Sequence, residues 1–174
     1  MNNSLQYFST IKSFVFDVDG VLTNGDLIIL PNNIMARTMN VKDGYALQLA
    51  IKKGFKIAII SGGNSLDVIS RFNILGIKDV FMGISDKSVA LNEFIQKYQL
   101  NTSEILFMGD DMPDFEVMQQ VGLPCCPADA VDEIKEISKY ISPKNGGQGC
   151  VRDVIEKVLK LNNSWEHSNQ IVSK

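Results

Sequence analysis

Phe14-Val15-Phe16-Asp17-Val18-Asp19-Gly20-Val21-Leu22-Thr23 is the stretch on which the reading of the fold turns. Three apolar, β-prone residues run into two carboxylates spaced i, i+2, and a glycine follows that lets the backbone turn away. A short apolar run bounded by glycine reads as a buried strand of a parallel sheet. The carboxyl edge of such a sheet is where α/β proteins place their ligands. In an extended segment a spacing of two puts Asp17 and Asp19 on one face. Like charges that close repel, so they need a cation or a shifted pKa. Mg²⁺ answers this together with a phosphate ester, because it is hard and takes carboxylate and phosphate oxygens. The plainer reading of the two residues is an Asx-turn at a strand end.

The whole chain sets the limits. Its 174 residues suit one domain with a proper core, assigned here to 1–163, with a polar tail over 164–174. A net charge of −3 argues against nucleic acid, which is met by basic patches. The three cysteines are an adjacent pair, Cys125 and Cys126, and a lone Cys150. That is neither a disulfide framework nor a zinc spacing, and it points to a reducing cytoplasm. No apolar run reaches membrane-spanning length, and the polar opening from Met1 to Thr10 has no signal-peptide character.

After the first strand a simple β-α-β unit would turn into a helix, but the sequence does not. Leu27 to Leu30, a Pro31-Asn32-Asn33 turn and Ile34 to Met39 read as a β-hairpin whose apolar face invites another chain. A helix is expected from about Tyr45 to Lys53, ended by Gly54. The second core strand, Phe55 to Ile60, runs into Ser61-Gly62-Gly63-Asn64-Ser65. A hydroxyl and glycines before a helix start suit a phosphate, with Ser65 an equally good N-cap. A third strand over Lys78 to Gly83 leads to Lys87 at the next helix start, and taken alone Lys87 reads as a solvated surface group. Ile105 to Met108 is a fourth strand, and Gly109-Asp110-Asp111-Met112-Pro113-Asp114 follows it. Its three carboxylates repel without a cation, although Asp114 also fits as the cap of a helix through Gln120. Short strands at Val121 to Pro127 and Tyr140-Ile141 bracket a helix over Ala128 to Ser138. A glycine stretch at Gly146-Gly147-Gln148-Gly149 then opens a last helix ending near Leu161. Beyond Asn163 the tail, with Trp165 and the single histidine His167, is expected to fray. Strands alternating with helices make this an α/β protein with a doubly wound, Rossmann-like parallel sheet. A hairpin flap follows the first strand, and no room is left for a cap domain.

Four elements fall in order just past predicted strand ends: Asp17/Asp19, Ser61, Lys87 and Asp110/Asp111/Asp114. With them the chain resembles the haloacid dehalogenase (HAD) superfamily of phosphohydrolases, whose D-x-D-G-[VT]-[LT] signature matches Asp17 to Thr23. The resemblance implies Asp17 as nucleophile and Asp19 as general acid and then base. It implies phosphate binding by Ser61, Gly62 and Lys87. Mg²⁺ would be held by Asp17, the Asp19 carbonyl and Asp110, with Asp111 and Asp114 behind them. Two other readings are weaker. A receiver domain carries its acceptor Asp on a later strand, and an inactive HAD relative lacks a catalytic Asp, whereas here both are present.

Over Lys12 to Leu161 the motifs together resemble the 3-deoxy-D-manno-octulosonate 8-phosphate (KDO 8-phosphate) phosphatases of this superfamily. That resemblance implies a capless homotetramer whose hairpins pack together, acting on a sugar phosphate in lipopolysaccharide synthesis. It also assigns the Gly146 to Gly149 loop and Arg152 to the pocket, in their own or a neighbouring subunit. One position departs: Gly63 stands where the family usually has an Arg suited to an acidic sugar's carboxylate. Arg71, Lys42 or Arg152 are the candidates to compensate, and a nine-carbon nonulosonate 9-phosphate is the alternative substrate.

Overall fold

The computed structural model describes residues 4–166 and residue 171. The chain opens with α1 (Ser4–Ser9), β1 (Ser13–Phe16), the hairpin strands β2 (Ile28–Leu30) and β3 (Ile34–Ala36), and α2 (Val41–Lys52). Then follow β4 (Lys56–Ile60), α3 (Leu66–Leu75), β5 (Asp79–Phe81), α4 (Lys87–Tyr98) and β6 (Ile105–Met108). It closes with α5 (Phe115–Met118), β7 (Leu123–Cys126), α6 (Asp132–Ile137), β8 (Tyr140–Ile141) and α7 (Cys150–Leu161).

Six strands pair in parallel in the order β5-β4-β1-β6-β7-β8, as the doubly wound reading expects. The chain walks outward from β1 to β5, returns, and lays β6 on the other edge of β1. The crevice between the carboxyl ends of β1 and β6 is therefore the topological switch point. Strand residues alternate between faces. Phe14 and Phe16 pack with α2, α3 and α7, while Val15 joins the cluster under α4, α5 and α6. Both faces are covered, which is why β1 is apolar at each of Phe14, Val15 and Phe16 rather than at every second residue. The same alternation sends Cys125 to one face and Cys126 to the other, both buried and free.

The hairpin forms where expected, with β2 and β3 antiparallel and Leu30 opposite Ile34. Its turn places Asn32 and Asn33 at positive φ, which Asn tolerates better than most residues. Ile28, Ile29, Ile34 and Met35 all stand exposed on it.

Several element ends shift by a few residues, α6 for instance starting at Asp132 rather than Ala128, and three differences from the sequence reading bear on packing. First, α2 begins at Val41 rather than near Tyr45, because the Asn40 side chain accepts from the Lys42 amide at 2.9 Å and caps it there. Second, the N-terminal segment adds α1, whose Phe8 is buried edge-to-face on Tyr140 at 5.0 Å. Third, part of the tail docks. Trp165 meets Tyr45 edge-on at 6.3 Å, and Ile171 packs against the same cluster. His167 lies outside the described residues.

One buried polar contact joins α2 to α7. Gly149, the N-cap residue of α7, has no side chain to satisfy the amides behind it. Asp43 of α2 supplies the acceptor instead, taking the Arg152 amide at 2.7 Å. Burial pushes its carboxyl from 3.8 up to about 6, while the Arg152 and Gly149 amides pull the other way. A folded-state value above the unfolded one stabilises the fold fully below the unfolded value, and that stabilisation is lost as pH rises through about 6. Asp43→Ala leaves the α7 amides unpaired and should cost about 1–3 kcal/mol. Asp43→Asn keeps an acceptor without the charge, so in urea melts it should gain on wild type by up to roughly 3 kcal/mol between pH 4 and pH 7. A difference that does not move with pH would refute the buried-charge account.

Candidate active site

The carboxyl ends of β1 and β6 and the start of α4 converge on one buried ammonium. Lys87 Nζ donates to Asp17 Oδ1 at 2.6 Å and to Asp114 Oδ1 at 2.7 Å. All three residues are less than a tenth exposed. Lys87 is the first residue of α4, where the helix dipole disfavours a cation, so the two carboxylates must offset both dipole and desolvation. Burial draws the Lys87 ammonium down, but Asp17 and Asp114 outweigh it and its pKa is raised. Burial, followed by repulsion from Asp114, pushes the Asp17 carboxyl up, and Lys87 opposes the shift.

Asp110 completes the group. One oxygen each from Asp17, Asp110 and Asp114 lie within 4.8 Å of one another. Asp110 Oδ1 is buried without a hydrogen-bond partner, and burial followed by repulsion from Asp17 pushes its carboxyl up to about 8. A buried, unpartnered oxygen among crowded carboxylates fits a hard divalent cation, whose charge would reverse that shift. Asp114 is the least available of the three. Its Oδ1 holds Lys87 and its Oδ2 accepts the Asp110 amide at 3.1 Å. It is therefore a buried brace rather than the helix cap of the plainer reading. Asp111 caps that turn instead, from an exposed position, accepting from the Met112 amide at 2.7 Å.

Gly20, at φ 96°, explains the glycine of the opening motif: a Cβ there would stand 2.0 Å from Asp110 Oδ2. The turn carries Asp19 to the rim, half-buried, where Arg37 clamps it. Arg37 Nε donates to Asp19 Oδ1 at 2.6 Å and Nη2 to Oδ2 at 3.0 Å. Ser61 is buried at the end of β4, and its Oγ accepts from the Gly63 amide at 3.1 Å. Gly62 beside it is exposed. Ser65 caps α3, accepting from the Val68 amide.

Two results add to the sequence reading. Of the two places expected for Arg152, its own pocket or a neighbouring subunit's, the single chain holds its side chain on aromatic and acidic partners of α2, α7 and the tail. Its guanidinium stacks near Tyr45 and Trp165, at 5.8 and 5.3 Å, and its Nε donates to Glu156 at 3.3 Å. The helix that bears it turns this residue toward α2 and the tail. Arg37 was not anticipated, because a single cation at the end of an exposed hairpin strand has no local signature. The bare backbone at Gly63 was the available hint.

A parallel sheet with this carboxylate–lysine group at its switch point defines a HAD-like hydrolase, and residues 76–155 match the haloacid dehalogenase-like hydrolase family. The chain belongs to that family. Over 162 residues it is 33% identical to the 3-deoxy-D-manno-octulosonate 8-phosphate phosphatase KdsC of Yersinia pestis, covering 93% of this chain and 87% of that protein. The crystal structure of the phosphatase of that name from Yersinia pestis aligns with a TM-score of 0.91 at 32% identity, over 94% of this chain and 88% of the other. A third relative is that phosphatase from Moraxella catarrhalis, solved in complex with a magnesium ion, a phosphate ion and KDO. It aligns with a TM-score of 0.89 at 34% identity over 94% of both chains. The chain is thus a phosphatase of the type these relatives represent. Among the described residues no helix is long and apolar enough to cross a membrane.

The raised carboxyls fix a pH dependence. A cation competes with the proton on Asp110, so Mg²⁺ binding should strengthen as pH rises through about 8. Without a cation, the same raised value means stability that is lost over that range. The rise in melting temperature on adding Mg²⁺ should therefore be larger at pH 8.5 than at pH 6. It should nearly vanish in Asp110→Asn, and an equal rise at both pH values would contradict the assignment.

Proposed function

We propose that the chain is a Mg²⁺-dependent phosphomonoesterase whose substrate is KDO 8-phosphate, releasing KDO and inorganic phosphate in lipopolysaccharide precursor synthesis. The observation that carries the chemistry is the Asp17–Lys87–Asp114 group with Asp110 beside it at the switch point. The substrate rests on the relatives, one of which was solved with magnesium, phosphate and KDO.

Magnesium, held by Asp17, Asp110 and the Asp19 carbonyl, would supply charge to offset the phosphate and the crowded carboxylates. Asp114, with both oxygens engaged, supports this set from behind. Lys87 places its ammonium against Asp17 and against the phosphoryl oxygens, and Ser61 and Gly62 line the same edge. A carboxylate oxygen of Asp17 attacks phosphorus in line, and the bond to the alcohol oxygen breaks as Asp19 gives that oxygen its proton. Water then attacks the aspartyl-phosphate while Asp19 takes a water proton, so phosphate leaves and Asp17 is restored. Positioning and charge supply most of the rate.

The exposed Ile28, Ile29, Ile34 and Met35 of the hairpin support a homotetramer that covers them. Gly63, in place of the family's Arg, favours one second reading, a phosphatase for a nine-carbon acidic sugar 9-phosphate.

Phosphate release from KDO 8-phosphate and from sialic-acid-type 9-phosphates, with Mg²⁺ and with EDTA, separates these readings. The expected result is Mg²⁺-dependent release from KDO 8-phosphate that falls by at least about 10³-fold in Asp17→Asn, the scale of losing an essential nucleophile. Release from the nine-carbon acid alone would keep the mechanism and change the pathway. No release from any sugar phosphate would refute the enzyme.

A further inference from the structure

We infer that Arg37 is the positioning residue of Asp19, and that the bare backbone at Gly63 is what admits its guanidinium. The inference builds on the proton-transfer role proposed for Asp19 above. Its basis is a fork. Nε and Nη2 of Arg37 take the two Asp19 oxygens at 2.6 and 3.0 Å, and paired donors fix both the place and the plane of a carboxylate.

The fork is itself held. Nη1 donates to the Met35 carbonyl at 3.0 Å, tying the guanidinium to its own hairpin. The Arg37 side chain is only 7% exposed, although it belongs to an otherwise exposed flap. Asp19, at 32%, is the more open partner, and each of its oxygens keeps a second lone pair beside the one given to Arg37, which leaves room for a proton.

Gly63 is the third member of this contact. A Cβ built there would lie 3.1 Å from Asp19 Oδ2, 3.2 Å from Arg37 Nη2 and 3.4 Å from Ser61 Oγ. A side chain at 63 thus presses on both partners of the clamp, by a few tenths of an ångström, and only touches the Ser61 hydroxyl. Gly63 and Arg37 form a matched pair: the position that gives up its side chain makes room for a cation delivered from the hairpin. Arg37 also forms one wall of a cavity of about 300 Å³ beneath the hairpin, with Ile34, Met35, Met39, Val68 and Arg71. How the hairpin seats is therefore transmitted to Asp19.

The test is a double-mutant cycle on Arg37→Ala and Gly63→Ala, with Arg37→Lys as the conservative variant. Rates are read on p-nitrophenyl phosphate and KDO 8-phosphate with Mg²⁺. Arg37→Ala should lower kcat about 10²-fold on KDO 8-phosphate with KM within about threefold, the scale of a misplaced catalytic group. Arg37→Lys, which keeps the charge but not the fork, should recover only part of this. Gly63→Ala should lower kcat about tenfold alone and add nothing in the Arg37→Ala background, as expected of two changes to one contact. Circular dichroism and the Mg²⁺-induced rise in melting temperature, unchanged in all variants, exclude misfolding. If Arg37→Ala does not fold, the cycle is run with Arg37→Lys. Multiplying effects, an unchanged kcat, or a raised KM at unchanged kcat would each overturn the inference and leave the phosphatase reading intact. A wild-type chain that hydrolyses neither ester would overturn both.

Discussion

Everything in this molecule converges on a lysine ammonium held out of water between two carboxylates. Removing three charged groups from solvent is costly, and an apolar cluster of the same volume would stabilise a fold as well or better. Lys87 therefore serves the site rather than the stability of the domain. Its two short bonds need β1 to present Asp17, the loop after β6 to present Asp114, and α4 to begin where it does. Each of these elements is fixed by apolar packing on one face of the sheet or the other. The core is the means by which the charges are brought together.

Charge balance shows why the arrangement stops short of neutrality. Asp17, Asp110 and Asp114 set three carboxylates against the single ammonium of Lys87. Lys87 bonds two of them, and the third, Asp110, keeps an unpartnered buried oxygen and the carboxyl value pushed to about 8. The surplus falls on one residue, which without a cation keeps its proton up to about pH 8. A divalent cation placed there relieves all three repulsions together and turns the site from one that rejects a phosphate into one that accepts it.

How much of this was legible depends on how local the cause is. The buried strand at Phe14 to Phe16, the hairpin turn at Asn32-Asn33 and the strand-end positions of Asp17, Ser61 and Asp110 follow from pattern and punctuation along the chain, whereas Lys87, at the start of α4, stands out only through the family resemblance. The partners of those residues are another matter. Nothing near Lys87 announces that it is buried, and Asp114 read alone suits a helix cap as well as a brace. Asp43 reaches the amides of α7 across 109 positions, and Arg37 reaches Asp19 across 18 by way of a folded-back hairpin. Arg152 shows the same limit from the other side. Its motif was visible, but the face of α7 it occupies is set by Tyr45 and Trp165.

The glycine stretch before α7 gains a physical role from the same contacts. A Cβ at Gly146 would stand 1.8 Å from the Gly20 carbonyl oxygen, and one at Gly20 would stand 2.0 Å from Asp110 Oδ2. The Gly147 amide donates to the Val21 carbonyl at 2.9 Å, and the Asn40 side chain donates to the Gly147 carbonyl. Backbone therefore lies directly on backbone from the loop before α7 to the turn carrying Asp19, and Gly20 of that turn in its turn abuts the Asp110 side chain. Such a stack transmits small displacements without the slack of side-chain rotamers. Within one subunit the loop is the floor beneath the turn that carries Asp19. The position of Asp19 is then set from two directions, by that floor below and by the Arg37 fork above.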